Sequence, residues 1–166
     1  IELYAKWEAN TYTINYVTNG GEIESTTQTV TYDSAYELYI PTKRGYTFTG
    51  YTKEGVIYEA TELWQEVEDI TLEATWNINT YYIKYNLNGG TNHESNISSY
   101  TVLDSFEIYE PTRKGYTFKG WYIDSEFNTL ADTSYSNSIE DIELYAKWEA
   151  NTYTINYVTN GGEIES

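Results

Sequence analysis

Residues 142–166 read IELYAKWEANTYTINYVTNGGEIES, and residues 1–25 read the same. Twenty-five identical residues at an offset of 141 mark a repetitive array. The stretch also fixes the type of secondary structure. Ile142, Leu144, Ala146 and Trp148 alternate with Glu143, Tyr145 and Lys147, and Ile70, Leu72, Ala74 and Trp76 alternate with Thr71, Glu73 and Thr75 in the same way. A period of two, rich in β-branched and aromatic residues, predicts half-buried strands rather than helices.

The 141-residue period divides into two diverged halves. YTINYVTNGG at 12–21 recurs as YYIKYNLNGG at 81–90, IPTKRGYTFTGY at 40–51 as EPTRKGYTFKGW at 110–121, and DITLEATW at 69–76 as DIELYAKW at 141–148. The module is therefore about 70 residues, the scale of a minimal repeat domain. Module A spans 12–79 and module B spans 80–151. Residues 1–11 read as the end of an upstream module, and 152–166 as the start of a further module A.

Within a module, Tyr12, Ile14 and Tyr16 line one face of the first strand, as Tyr81, Ile83, Tyr85 and Leu87 do in module B. Asn19-Gly20-Gly21 then supplies residues that tolerate positive φ, as a tight turn requires. A return strand is predicted at 28–32 and, in module B, at 98–102. A third strand falls at 46–48, with Gly50 following it. Residues 52–68 and 123–140 are the predicted loops. A short helical turn fits only at 34–38 and 105–108. Expected core positions are Ile14, Phe48, Leu72 and Trp76 in module A, and Ile83, Phe118, Trp121, Leu144 and Trp148 in module B. Four residues without Gly or Pro, 77–80, join the modules, too few for a floppy tether.

Composition narrows the function classes. The chain has no cysteine, which removes disulfides and thiolate metal sites. No apolar run approaches the roughly 20 residues of a membrane-spanning helix. One 141-residue period holds 22 Asp and Glu against 8 Lys and Arg, a net −14. Such a surface repels phosphate backbones, so nucleic acid is not an expected partner. Twenty Tyr and five Trp supply the buried area that a small domain without disulfides needs.

The ordered set Tyr-Thr-Ile…Asn-Gly-Gly, then Pro-Thr-Arg-Lys-Gly-Tyr-Thr-Phe-Lys-Gly-Trp-Tyr at 111–122, then Ile-Glu-Leu-Tyr-Ala-Lys-Trp at 142–148, closely resembles the internalin B-repeat family, also called the Listeria–Bacteroides repeat. The resemblance covers essentially the whole chain. It implies small β-grasp-like modules in an elongated tandem array on an extracellular bacterial cell surface. It also implies a role as stalk or adhesion module, with no catalytic residues and no cofactor. The partners it implies are neighbouring modules, other copies of the chain, or a host protein or glycan. Module A departs from the pattern: Tyr51 stands for Trp121, Glu73 for Tyr145 and Thr75 for Lys147, while Trp64 appears in its variable stretch.

The Gly-Tyr-Thr-Phe-x-Gly-Trp/Tyr segment, with Tyr39 and Tyr122, suits either core packing or stacking on sugars. Lys84 and Lys147 among many Asn and Glu residues raise a Lys–Asn isopeptide cross-link, but module A has Asn15 and Thr75 at these positions. Asp124, Glu126 and Asp132 offer oxygen ligands without the spacing of an EF-hand loop. His93 stands alone, and Asn96-Ile97-Ser98 is a solitary glycosylation sequon. No nucleophile, base and metal set recurs, so catalysis is not expected.

Overall fold

The computed structural model describes residues 1–158 and 160–162. It is all β, with eleven strands among the described residues and no helix. The chain divides into two compact units, one made chiefly of Ile1–Thr80 and the other chiefly of residues beyond it.

In the first unit β1 (Thr11–Val17), β2 (Thr27–Thr31), β3 (Tyr46–Lys53), β4 (Val56–Ile57) and β5 (Ile70–Ile78) form one sheet in the order β2-β1-β5-β3-β4. β1 and β2 are an antiparallel hairpin. β5 lies at the centre, parallel to β1 with Ile14 opposite Ile70, and antiparallel to β3. In the second unit β6 (Tyr81–Asn86), β7 (Ser99–Tyr100), β9 (Tyr116–Tyr122) and β11 (Ile142–Ala150) repeat the order as β7-β6-β11-β9. Ile83 is opposite Ile142, the counterpart of the Ile14–Ile70 pair. A separate two-stranded ribbon joins β8 (Ser105–Glu107) to β10 (Ser134–Ser136).

The alternation buries one face of each sheet. Ile14, Tyr16, Leu72 and Ala74 centre the first core, and Ile83, Trp121, Leu144 and Ala146 the second. Phe48, Trp76, Phe118 and Trp148, expected in the core, are half-buried and pack against its rim. Their rings form edge-on pairs, Phe48 with Trp76 at 5.6 Å and Phe118 with Trp148 at 5.4 Å between centroids. Each indole N–H donates to a turn carbonyl, Trp76 to Thr18 and Trp148 to Leu87, which holds these two rings at the sheet end.

Two other expectations are corrected. No helical turn forms at 34–38 or 105–108. The backbone of 33–34 instead bonds the opposite loop, Asp33 N–H to Trp64 O at 2.8 Å and Trp64 N–H to Ser34 O at 2.9 Å, while Ser105–Glu107 pairs with β10. These cross-loop bonds satisfy groups that a helix would have satisfied locally. Second, β3 does not stop before Gly50. It passes through a bulge between Phe48 and Gly50 and runs on to Lys53, with Gly50 at φ 134° accommodating the irregularity. Trp64 lies in the stretch read as loop, and there it is wholly buried, edge-on to Tyr36 at 5.3 Å. Module B seals the corresponding crossover with Phe106 stacked on Tyr135 at 5.3 Å.

Identical sequence takes two states. IELYAKWEA forms β11 at 142–150 but no strand at 1–9, where Leu3 is 89% exposed against 0% for Leu144. TYTINYV forms β1 at 11–17 but no strand at 152–158, where Ile155 is 72% exposed against 0% for Ile14. The strand is made by its neighbours, as the context dependence of β propensity demands.

Candidate functional site

The Asn-Gly-Gly turn organises the same end of each sheet. Asn19 and Gly20 sit at φ 50° and 86°, Asn88 and Gly89 at 49° and 86°. Asn19 donates its side-chain N–H to Ala74 O at 2.8 Å, and Asn88 donates to Ala146 O at 2.9 Å, tying each turn to the central strand. Trp76 and Trp148 close over the turns. Beside them stands the basic pair that follows Pro-Thr. The Lys43 ammonium lies 4.3 Å from the Tyr46 ring centre and 2.9 Å from Asn19 O, and the Arg113 guanidinium lies 3.7 Å from the Tyr116 ring centre.

Two open clefts result. One of about 650 Å³ lies in the first unit, walled by Glu22, Lys43, Arg44, Tyr46 and Trp76. The other, about 550 Å³, lies in the second unit between Arg113, Lys147, Tyr145 and Trp148. Lys53, Lys84 and Lys119 are each paired with carboxylates, at 3.0 Å to Glu66, 2.6 Å to Glu143 and 2.8 Å to Glu149. Lys43, Arg44, Arg113, Lys114 and Lys147 have no carboxylate partner among the described residues. In a chain with 26 acids and 9 bases, the cations without a carboxylate partner among the described residues are, apart from Lys6 in the exposed stretch 1–9, those that follow the Pro-Thr motif of each module and Lys147 in the module B cleft.

The residues singled out for chemistry fall apart in space. Lys84 is exposed and bound to Glu143, which also accepts from Asn86 at 2.9 Å and from the Tyr145 hydroxyl at 2.9 Å. These three donors pull the Glu143 carboxyl down to about 2, and the same pair holds the Lys84 ammonium above its ordinary range. Lys84 and Glu143 thus form an exposed surface ion pair braced by Asn86 and Tyr145. Asp124 accepts backbone N–H bonds from Asn128 at 3.0 Å and Thr129 at 2.8 Å, which lower its carboxyl and close the loop on itself. Among the described residues no three His, Cys, Asp or Glu side chains are grouped to hold a metal. His93 stacks on Tyr109 at 4.9 Å. Asn96 uses its whole amide on Asn92 and the Tyr109 backbone, so the sequon asparagine is a loop brace.

Tyr51 and Trp121 do one job with different atoms. The Tyr51 hydroxyl donates to Tyr39 O at 2.8 Å, and the Trp121 indole N–H donates to the equivalent Tyr109 O at 3.2 Å. Both rings are buried. The Gly-Tyr-Thr-Phe-x-Gly segment thus anchors the crossover to the sheet and offers no open aromatic platform at this position.

Two copies of one strand order, one turn clamp and one crossover anchor define a tandem β-repeat protein. The Listeria-Bacteroides repeat domain matches residues 12–75 and again 81–147, and the chain belongs to that family. It is 37% identical over 165 residues to a "Putative Gly-rich membrane protein" of Evansella cellulosilytica, covering 96% of this chain and 19% of that protein. It is 33% identical over 115 residues to Internalin H of Listeria monocytogenes, covering 67% of this chain and 20% of that protein. The chain spans about a fifth of the length of these relatives. No solved structure matches it significantly. No helix among the described residues is long and apolar enough to cross a membrane.

Proposed function

We propose that this chain is part of a structural stalk, a run of modules that spaces or displays other domains of an extracellular bacterial cell-surface protein. The observation that carries the reading is the use of the first and last strands of each module as a parallel central pair, β1 with β5 and β6 with β11. The chain enters one end of the sheet and leaves at the other, so each module adds its length to the array. β5 ends at Ile78 and β6 begins at Tyr81, which leaves little slack between successive sheets. The membrane-protein and internalin names of the relatives support a surface location. The acidic surface favours solubility of a crowded array. The partners in this role are neighbouring modules and other copies of the chain.

Small-angle scattering on chains of two, four and six modules tests the proposal. The maximum dimension is expected to rise in proportion to module number and to change little with salt, because the Debye length is only about 8 Å at physiological ionic strength. Growth as the square root of module number, the law of a flexible chain, overturns it.

A further inference from the structure

We propose that the groove beside Trp148 in module B, a local basic spot on an otherwise acidic chain that repels densely charged polyanions, binds a uronate, a sugar ring bearing a carboxylate, from an acidic polysaccharide. The inference is separate from the stalk role, and either can fail alone. The groove has the volume of a small-ligand site, about 550 Å³. Its walls combine the three kinds of group such a ring needs.

The first is positive charge left unused by the protein. Arg113 and Lys147 line the groove and have no carboxylate partner among the described residues. Each is held by aromatic rings instead: Arg113 by Tyr116, and Lys147 by Tyr122 at 4.9 Å and Phe127 at 5.5 Å. An ammonium resting on a ring keeps its charge available to an incoming carboxylate. Of the nearby acids one is neutralised and one keeps its charge. Glu143 is neutralised by Lys84, and Glu126 accepts the Ser125 hydroxyl at 2.9 Å.

The second is a pair of hydrogen-bond acceptors. Asn86 and Asn88 both line the groove, and each spends its N–H on the protein, on Glu143 and Ala146 O respectively. Their side-chain oxygens accept no bond from the described residues, and sugar hydroxyls are donors that fit them. An acidic peptide carries the carboxylate but lacks such a set of hydroxyls. The third is aromatic ring surface, to which Tyr145 and the half-buried Trp148 both contribute as lining residues.

Module A lacks the site. Val17, Glu73 and Thr75 take the positions of Asn86, Tyr145 and Lys147, which removes one cation, one amide and one ring and adds an acid. Tyr4, Lys6 and Trp7 repeat Tyr145, Lys147 and Trp148 at the 141-residue offset, so the groove strand is a B-type feature. An array built this way carries one binding position in every second module.

The test is an NMR titration of the 166-residue chain at fixed ionic strength with trigalacturonate, neutral galactotriose and triglutamate as probes. The expected result is saturation by trigalacturonate at roughly millimolar concentration, with shifts at the Trp148 indole N–H and the Asn86 and Asn88 side-chain amides. Galactotriose and triglutamate are each expected to bind about tenfold more weakly. Lys147→Thr, which installs the module A residue, and Arg113→Gln are each expected to weaken trigalacturonate binding about fivefold with the dispersed spectrum retained. Equal binding of the neutral sugar or the peptide overturns the proposal. So does unchanged affinity in both variants, or the absence of saturation by about 20 mM, beyond the useful range for a specific site.

Discussion

Trp148 donates its indole N–H to the main-chain oxygen of Leu87 at 2.9 Å, and the ring lies so close to Gly90 that a methyl group there would meet its Cζ2 at 2.5 Å. Trp76 stands in the same relation to Thr18 and Gly21. The second glycine of the turn is thus required for space, since neither Gly21 nor Gly90 has a positive φ. Gly90→Ala is expected to cost about 1–3 kcal/mol through overpacking. Trp148→Ala is expected to cost about 2–4 kcal/mol, somewhat less than for a fully buried ring. With the ring gone the shortest clash disappears and only the main-chain oxygens of Thr112 and Leu87, at 3.1 and 3.2 Å, still crowd the added methyl, so a double-mutant cycle should show coupling of about 1 kcal/mol or more. Strict additivity in urea melts would contradict the contact.

Trp64 fills the first core from a loop, with no exposure at all. Trp64→Ala is expected to destabilise module A by about 3–5 kcal/mol. For a small domain that is a large share of the total. The measurement is a melt followed at a module A probe such as Tyr51. A change below about 1 kcal/mol would remove Trp64 from the core.

Glu143 titrates far below its ordinary value, near 2, because Lys84, Asn86 and Tyr145 all favour the charged form. A depressed carboxyl contributes stability that is complete above its unfolded value of about 4.5 and is lost as pH falls toward about 2. Glu143→Gln is therefore expected to flatten the acid arm of the stability curve of module B between those pH values. The group is exposed, so the effect should shrink in high salt. A carboxyl NMR titration with its midpoint near 4.5 would refute the ion pair. At the other end of the scale burial raises Tyr16 and Tyr85 to about 12. Stability should then fall as pH rises from about 10, where the unfolded phenols ionise, through 12.

The exposed copy at 152–158 should become a strand when its partners are supplied. Appending residues 26–79 after Ser166 completes a further module A. Ile155 and Tyr157 are then expected to acquire the amide protection of Ile14 and Tyr16, measured by hydrogen exchange. Continued rapid exchange at Ile155 would show that the strand needs more than its module.

Much of this fold was legible because period-two alternation reports burial directly. Ile14, Leu72, Ile83 and Leu144 sit in the core because a strand offers each residue only two faces. The rim position of Trp76 and Trp148 was not legible, since a pattern of apolar residues carries no information on where an indole N–H finds its acceptor. Trp64 was hidden for a related reason: it is positioned by bonds between two irregular segments, and no periodicity marks them. The shared job of Tyr51 and Trp121 was also beyond the sequence, because it depends on which carbonyl each polar atom reaches. The module B groove showed only in part. Lys147 and Tyr145 stood out as differences between modules, but their meeting with Arg113 and Asn86 needed the parallel pairing of β6 with β11.

That pairing has a mechanical meaning. When the chain is pulled from both sides, tension enters a module at the start of its first strand and leaves at the end of its last. Because the two strands lie side by side and point the same way, the load slides one along the other. The hydrogen bonds from Ile14–Ile70 to Val17–Glu73 are then strained together, where an antiparallel terminal pair would be peeled open one rung at a time. Under the stalk proposal, each module is therefore expected to resist a pull along the chain better than a pull that peels its sheet from one edge.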